Sequence, residues 1–509
     1  MVADRLRGQR GAAALAAAAI LGLLAFGPSQ AAQAARYPQI SGSGSTYAAG
    51  AIDQWATDLV PQGLQINYSP VGSAQGRQQY ISSQNDFAGS DIAFINPSDP
   101  DPFAGADPPT GFAYSYIPDV AGGLAFIYNL QVDGHRITNL RLRPQTLAEI
   151  FTGRITNWDN PTITHDYGAR LPSLPITVVT RSDGAGESYF LSRWMWKMYP
   201  SLWGPFCHAQ GGQGSCGPTE NYPGQNVAGF KALSGAEGVS GYVAASTNNG
   251  AIGYVETYYA LNYHIPIVSV ANPGGYYVQP TGSNVAIALE KAQIDENQDD
   301  VTFLMQNLDN VYTDPDPRSY PLSAYSYLIV PRDKRTIGGT TYGPRPGTTT
   351  ATGVTLSTYI NFILCGAQAS AVALGYSPLP GPMVTGGFLQ DAQIPGAVSS
   401  PAAHNYASCN NPAFLNGKDV LTATAPYPRA CQKVTAPLNA SCAGSESKTG
   451  TSGSTTSGSK TSGSGRKSGP GSKTAGINPN TGQAQGPTSS GTTVNAQPVG
   501  LSSRPEEQW

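Results

Sequence analysis

The chain has 509 residues, of which 40% are hydrophobic and only 12% charged, with 60 Gly, 41 Pro and a formal net charge of −3. This length and apolar content allow two or three domains with a large core, and the Gly and Pro content demands many turns and at least one loose region. A charge so close to neutral excludes the electrostatic footprint of a nucleic-acid-binding or membrane-surface protein.

At the N-terminus, Arg5, Arg7 and Arg10 precede an apolar run from Gly11 to Phe26, and Ala32-Gln33-Ala34 follows as a small-x-small site. That order predicts a signal peptide over residues 1–34 and export from the cytoplasm. The apolar run is shorter than the roughly 20 residues that a membrane span needs. No cysteine follows it, so no lipid anchor is expected.

A βα alternation begins next. Ile40 closes a short strand, and SGSGST follows it. Ala48, Ile52, Trp55, Ala56 and Leu59 then share one helical face. Leu64, Ile66 and Tyr68 alternate as a strand, and GSAQG opens a second helix through Tyr80 and Ile81. FAGSDIAFI (87–95), GGLAFIYN (122–129) and PITVVTR (175–181) read as further strands. Strands alternating with helices predict an α/β architecture with a largely parallel sheet. Residues 200–225 read as a loop insertion closed by a disulfide, and 238–256 as helix, turn and strand. DENQDD (295–300) reads as an exposed helix start, since it lacks the turn glycine and ligand spacing of a calcium loop. Residues 320–330 read as a strand, 333–353 as a polar loop, and 355–380 as an apolar helix ending in proline.

The six cysteines, Cys207, Cys216, Cys365, Cys409, Cys431 and Cys442, suit an oxidising compartment. Many pairings are open; proximity favours Cys207–Cys216 and Cys431–Cys442, leaving Cys365–Cys409. Residues 381–442 lose the βα rhythm and form a Cys-containing extension. From Ala443 to the end the chain is a Ser/Gly/Thr-rich, weakly basic tail that cannot bury a core and is expected to be disordered. Its NPNTG (478–482) superficially resembles a wall-sorting signal, but no apolar stop segment follows.

The chemistry concentrates in Gly/Ser-rich turns. GSGSTY (42–47), GSAQG (72–76) and DGAGE (183–187) each precede a helical pattern. Such a turn lets the backbone approach a ligand, and the helix start offers free N–H groups to an anion. In an α/β chain these starts gather at the carboxyl edges of the strands. None carries the GK[ST] of a phosphate loop or the spacing of a dinucleotide fingerprint. His135, His165, His208, His264 and His404 are scattered singly, with no pair at metal spacing. No catalytic set, no metal and no cofactor are expected.

ISGSGSTYAAGAIDQW, INYSPVGSAQGRQQYI, DFAGSDIAF, EIFTGRITNWDNP, VVTRSDGAGESYFLSRW, GAIGYVE and YPLSAYSYLIV, in that order, resemble the phosphate ABC-transporter substrate-binding proteins over about residues 37–380. The resemblance implies a two-lobed type II periplasmic-binding-protein fold with a hinge. Residues 37–117 and 319–380 would form lobe 1, and residues 118–318 lobe 2. It implies a monomeric binding protein, not an enzyme, that captures inorganic phosphate between the lobes and hands it to an ABC-type permease in the membrane. It also implies a site. Thr46 would give its hydroxyl, Thr46 and Tyr47 their N–H groups, and Ser73 its hydroxyl and N–H. Asp91 would accept a hydrogen bond from protonated phosphate. Arg181 would be the single arginine, held by Asp183, and Gly186 would be a backbone donor. Sulfate, with no proton to give, would leave Asp91 as a bare like charge.

The third turn departs from the family's usual Ser-Gly-Thr, reading Ala185-Gly186-Glu187. Ala185 removes a hydroxyl worth about 1 kcal/mol. Glu187 replaces a donor with an acceptor, and three readings follow. It is a second proton-reading acceptor among the phosphate ligands. It is a helix-start acid turned away from the cleft, where it favours the helix dipole. Or the chain has lost phosphate binding or taken another oxyanion. Two rival functions share these residues: a surface scaffold that keeps only the fold, and an exported phosphate-ester hydrolase with Asp91 or Glu187 as general acid.

Overall fold

The structure, a computed structural model, describes residues 37–399 and 405–440. The expected signal peptide, the tail with its NPNTG, His404 and Cys442 lie outside the described residues. The elements that position the site are β1 (Ile40–Gly44), α1 (Ala49–Leu59), β2 (Ile66–Ser69), α2 (Ser73–Ile81), β3 (Phe87–Ser90) and β4 (Tyr114–Asn129). They continue with β5 (Thr177–Arg181), α3 (Gly186–Met198), α4 (Pro200–Ala209), β6 (Phe230–Leu233), α5 (Gly235–Ala244), β7 (Ala251–Glu256) and β8 (Ser323–Pro331). Last come α6 (Thr350–Cys365), α7 (Gln368–Ala373) and α8 (Gly381–Asp391).

The strands join in the order β2-β1-β3-β8-β4-β7-β5-β6. β1 runs parallel to β2 and β3, and β5 parallel to β6 and β7. β4 and β8 run against their neighbours, so the sheet is mixed rather than largely parallel. β4 is the shared spine. Its residues 114–123 pair with β8, and its residues 124–129 pair with β7, so one 16-residue strand belongs to both half-sheets. The partner changes at Gly122-Gly123. A Cβ on Gly122 would lie 2.8 Å from Glu256 Oε1 and 2.9 Å from the Tyr47 hydroxyl, so only glycine fits there.

Several local expectations change. The first strand begins at Ile40 instead of ending there. The strand expected over 122–129 starts eight residues earlier, at Tyr114, because Asp119 is buried and bonds Val120 N–H at 2.7 Å, which keeps a polar residue inside the strand. The expected insertion at 200–225 opens as α4, and its Cys207 on that helix bonds Cys216. The polar loop at 333–353 contains a hairpin pairing Arg335–Ile337 with Thr340–Tyr342. The long apolar helix starts earlier, at a Thr349/Thr352 capping box, and breaks after Cys365 into α6 and α7. Residues 295–300 are not a helix start. They form a loop in which Asp295, Asn297 and Asp300 each accept a nearby backbone N–H.

The extension is footed on both halves. Cys409 bonds Cys365 on α6. Asn411 donates to the Leu379 carbonyl at 2.9 Å. Arg318 donates to the Thr422 carbonyl at 3.2 Å, with Tyr427 stacked 4.4 Å from its guanidinium. Val434 N–H then donates to Gly275 O, and Arg141 donates to Ala436 O at 2.9 Å.

Among the carboxyls that burial raises in this fold, Asp91 and Asp391 reach about 7 and Asp119 about 8. In the unfolded chain they ionise near 4. Between those values the folded state holds more protons than the unfolded one, so stability falls as pH rises. Unfolding of the ligand-free protein is expected to show decreasing stability from pH 5 to pH 7, and Asp391→Asn should flatten the slope by about 1.4 kcal/mol per pH unit. Denaturant titrations across pH measure this. Replacing Cys365 and Cys409 together by serine should lower stability by about 2–4 kcal/mol and raise hydrogen exchange across residues 405–425.

Candidate anion site

The three Gly/Ser-rich turns do connect strand ends to helix starts: β1 to α1, β2 to α2, and β5 to α3. They also meet. Ala74 N–H at the start of α2 donates to Gly184 O in the third turn at 3.2 Å. Gly186, first residue of α3, lies so close to Asp91 that a Cβ on it would stand 2.1 Å from Asp91 Oδ2. Thr46, Tyr47, Ser73, Asp91, Arg181 and Glu187 are each at most 2% exposed.

Arg181, the last residue of β5, is the pivot. Its Nε donates to Asp183 Oδ1 at 2.9 Å, and its Nη2 donates to Asp183 Oδ2. The Asp183 carboxylate is held in turn by Gly235 N–H at 2.9 Å. The remaining nitrogen, Nη1, donates to Thr46 Oγ1 at 2.8 Å and pairs with Glu187 Oε1 at 2.9 Å. Thr46 Oγ1 itself donates to Glu187 Oε1 at 2.8 Å. Burial alone would push the guanidinium down, but Glu187 and Asp183 more than offset it and hold it above its ordinary value. Burial likewise works against the Asp183 carboxylate, yet Arg181 keeps it below the usual carboxylate range.

Asp91, just past the end of β3, collects hydroxyls. Oδ1 accepts from Ser45 at 2.7 Å and Ser326 at 2.8 Å, and Oδ2 accepts from Ser73 at 3.0 Å. Burial and the Glu187 charge raise this carboxyl to about 7, against the pull of those serines. Asp91 also lines a cavity of about 460 Å³ with Phe190, Arg193 and Gln306, while Arg181 lines a second of about 210 Å³ with Asn221 and Gln225.

The structure therefore brings Thr46, Ser73, Asp91, Arg181, Gly186 and Glu187 together, with Asp183 behind Arg181. Glu187 is 1% exposed and faces inward, so it is not a helix-start acid turned away from the cleft. Its Oε2 is buried without a hydrogen-bond partner. Tyr47 is adjacent but differently used: its N–H donates to Ser45 Oγ at 2.9 Å, and its ring meets Phe190 edge-on. Sequence reasoning missed Ser45, although it stands inside the first turn, and Ser326, whose strand run gave no signal of a polar task. It also missed the buried pair of Arg77 on α2 with Glu220 (Nη1 to Oε1, 2.8 Å), which Asp107 extends through Arg77 Nε. Glu220 O accepts Ala185 N–H at 3.0 Å, so one residue ties the second turn's helix to the third turn.

A family model described as a PBP superfamily domain matches residues 29–366. The phosphate-binding protein PstS of Xylella fastidiosa (strain Temecula1) is 29% identical over 299 residues, covering 58% of this chain and 73% of that protein. The phosphate-binding protein PstS3 of Mycobacterium bovis (strain BCG / Pasteur 1173P2) is 30% identical over 307 residues, covering 57% and 72%. Among solved structures, the ancestral soluble variant of the human phosphate binding protein superposes with a TM-score of 0.50 at 19% identity, covering 73% of this chain and 98% of that one, which supports the two-lobed fold. With a superfamily model over most of its described length and relatives at this identity and coverage, the chain belongs to the PBP superfamily and, within it, to the PstS phosphate-binding protein family.

Proposed function

We propose that this protein captures one inorganic phosphate between its lobes, outside the cytoplasm, and delivers it to an ABC-type membrane permease. The observation that carries the reading is that three helix-start turns meet at one buried site, the first and third on the Arg181 guanidinium and the second on Asp91 and Gly184, with the guanidinium's seat already accommodating an anionic group. The names of the relatives point the same way. Phosphate would take its donors from Thr46, Ser73, Arg181 and Gly186, and from the Tyr47 N–H once Ser45 Oγ releases it, and would donate a hydrogen bond to Asp91. Glu187 stands at the same seat. We place lobe 1 at residues 37–117 and 319–380 and lobe 2 at residues 118–318, consistent with the change of strand partner at Gly122-Gly123. Disulfides among the described residues, Cys207–Cys216 and Cys365–Cys409, support an oxidising compartment. Among the described residues no helix is long and apolar enough to cross a membrane. We take the protein to act as a monomer, to bind without catalysing a reaction, and to need no cofactor.

The scaffold reading has one observation in its favour: Arg181 is already satisfied by the protein's own carboxylates. Calorimetry decides between the two. Titration of the mature protein at pH 6–7 should show micromolar or tighter phosphate binding, and no heat with phosphate, arsenate or sulfate would leave the scaffold. Arg181→Ala should weaken phosphate binding at least about thirtyfold, because stripping one partner from a buried charge pair costs about 2–5 kcal/mol. Asp91→Asn removes the like charge that faces a proton-free oxyanion. The ratio of phosphate to sulfate affinity should then fall by about tenfold or more, read in titrations at pH 8, above the value to which burial raises Asp91.

A further inference from the structure

Glu187 makes contacts that a ligand would make. Its Oε1 holds Thr46 Oγ1 and Arg181 Nη1, and these are the side-chain donors assigned above to phosphate. The competition is built into the arginine. Nε and Nη2 are committed to Asp183, so Nη1 is the part of the guanidinium left to face the cleft. An anion arriving at Nη1 meets a carboxylate already there. The remaining hydroxyl donor is also turned away, since Ser73 Oγ lies on Asp91. Glu187 Oε2 is buried with no hydrogen-bond partner, an acceptor for which the chain supplies no donor.

The same carboxylate spans the cleft. Thr46 follows β1 in the first half-sheet, whereas Arg181 and Glu187 belong to β5 and α3 in the second. We propose that the Glu187 carboxylate is an internal occupant of the anion seat, a tethered anion that phosphate must displace on entry and that latches the cleft when no ligand is present. The proposal takes its ligand from the phosphate reading above. A tethered competitor reduces apparent affinity by the fraction of molecules in which the seat is free. Its removal therefore tightens binding, whereas removal of a co-ligand loosens it.

The test is calorimetric titration of inorganic phosphate into the wild type, Glu187→Gln and Glu187→Thr at one pH and salt, with thermal unfolding to establish that each variant is folded. Small-angle scattering of the three ligand-free proteins accompanies it. The expected result is at least tenfold tighter phosphate binding in both variants, and a larger radius of gyration for ligand-free Glu187→Thr than for the wild type. Unchanged or weaker binding by the folded variants overturns the proposal and makes Glu187 a bystander or a true phosphate ligand. If neither the wild type nor either variant binds phosphate, the phosphate reading fails by itself. Scattering then judges the latch alone: expansion of the Glu187→Thr protein supports it, and an unchanged radius overturns it. Should one variant fail to fold, the other carries the same comparison.

Discussion

A guanidinium withdrawn from water must face anions, and the cleft of this protein is organised around that constraint. Arg181 is 1% exposed. Stripping such a group of its hydration is tolerable only if carboxylates or a ligand replace the water. Asp183, two residues along the same chain, takes two of its nitrogens in a fork. That fork fixes the direction of the third nitrogen, which points to the first turn, at Thr46. The Gly184-Ala185-Gly186 step is short enough to bring the chain straight back, so the opening residues of α3 stand over the same guanidinium. The acid at position 187 answers to this local need: where the arginine demands negative charge, the chain carries some of its own.

Two buried carboxylates this close repel each other, and the fold handles them differently. Asp91 is surrounded by serine hydroxyls and sits where burial and its neighbour's charge favour the protonated form. Glu187 is offset by Arg181. Gly186 makes the pair possible, because any side chain there would overlap Asp91. The polar contacts around them link both halves of the sheet. Arg77 with Glu220 acts as a second buried bridge, one turn along α2 from Ser73. Removing solvent from the cleft strengthens each of these interactions.

The parts of this arrangement that were legible beforehand were those with local causes. The three turns were visible because glycine and serine before a helical run form a short-range pattern, and α1 and α2 begin and end within a residue or two of expectation. The pairing of Cys207 with Cys216 was visible from proximity in the chain. The direction of Glu187 was not, since it depends on Thr46, a residue 141 positions away. Ser326 was hidden for the same reason: in YSY its hydroxyl had no visible task until β8 was laid beside β3 and Asp91. The mixed sheet was missed because nothing local to 114–121 tells a strand that it will run antiparallel to one 200 residues further on. The family resemblance supplied what periodicity could not, namely that these turns share one pocket.

The extension over 405–440 has mechanical weight of its own. It is pinned at one end by a covalent sulfur bridge to α6, and at the other by a backbone hydrogen bond to Gly275 and one from the Arg141 guanidinium. It therefore runs as a strap from one half of the fold to the other, covalent at its first footing and hydrogen-bonded at its last. Any rearrangement that parted the two footings would strain the hydrogen-bonded one before the sulfur bridge, because single hydrogen bonds are far weaker than a covalent bond.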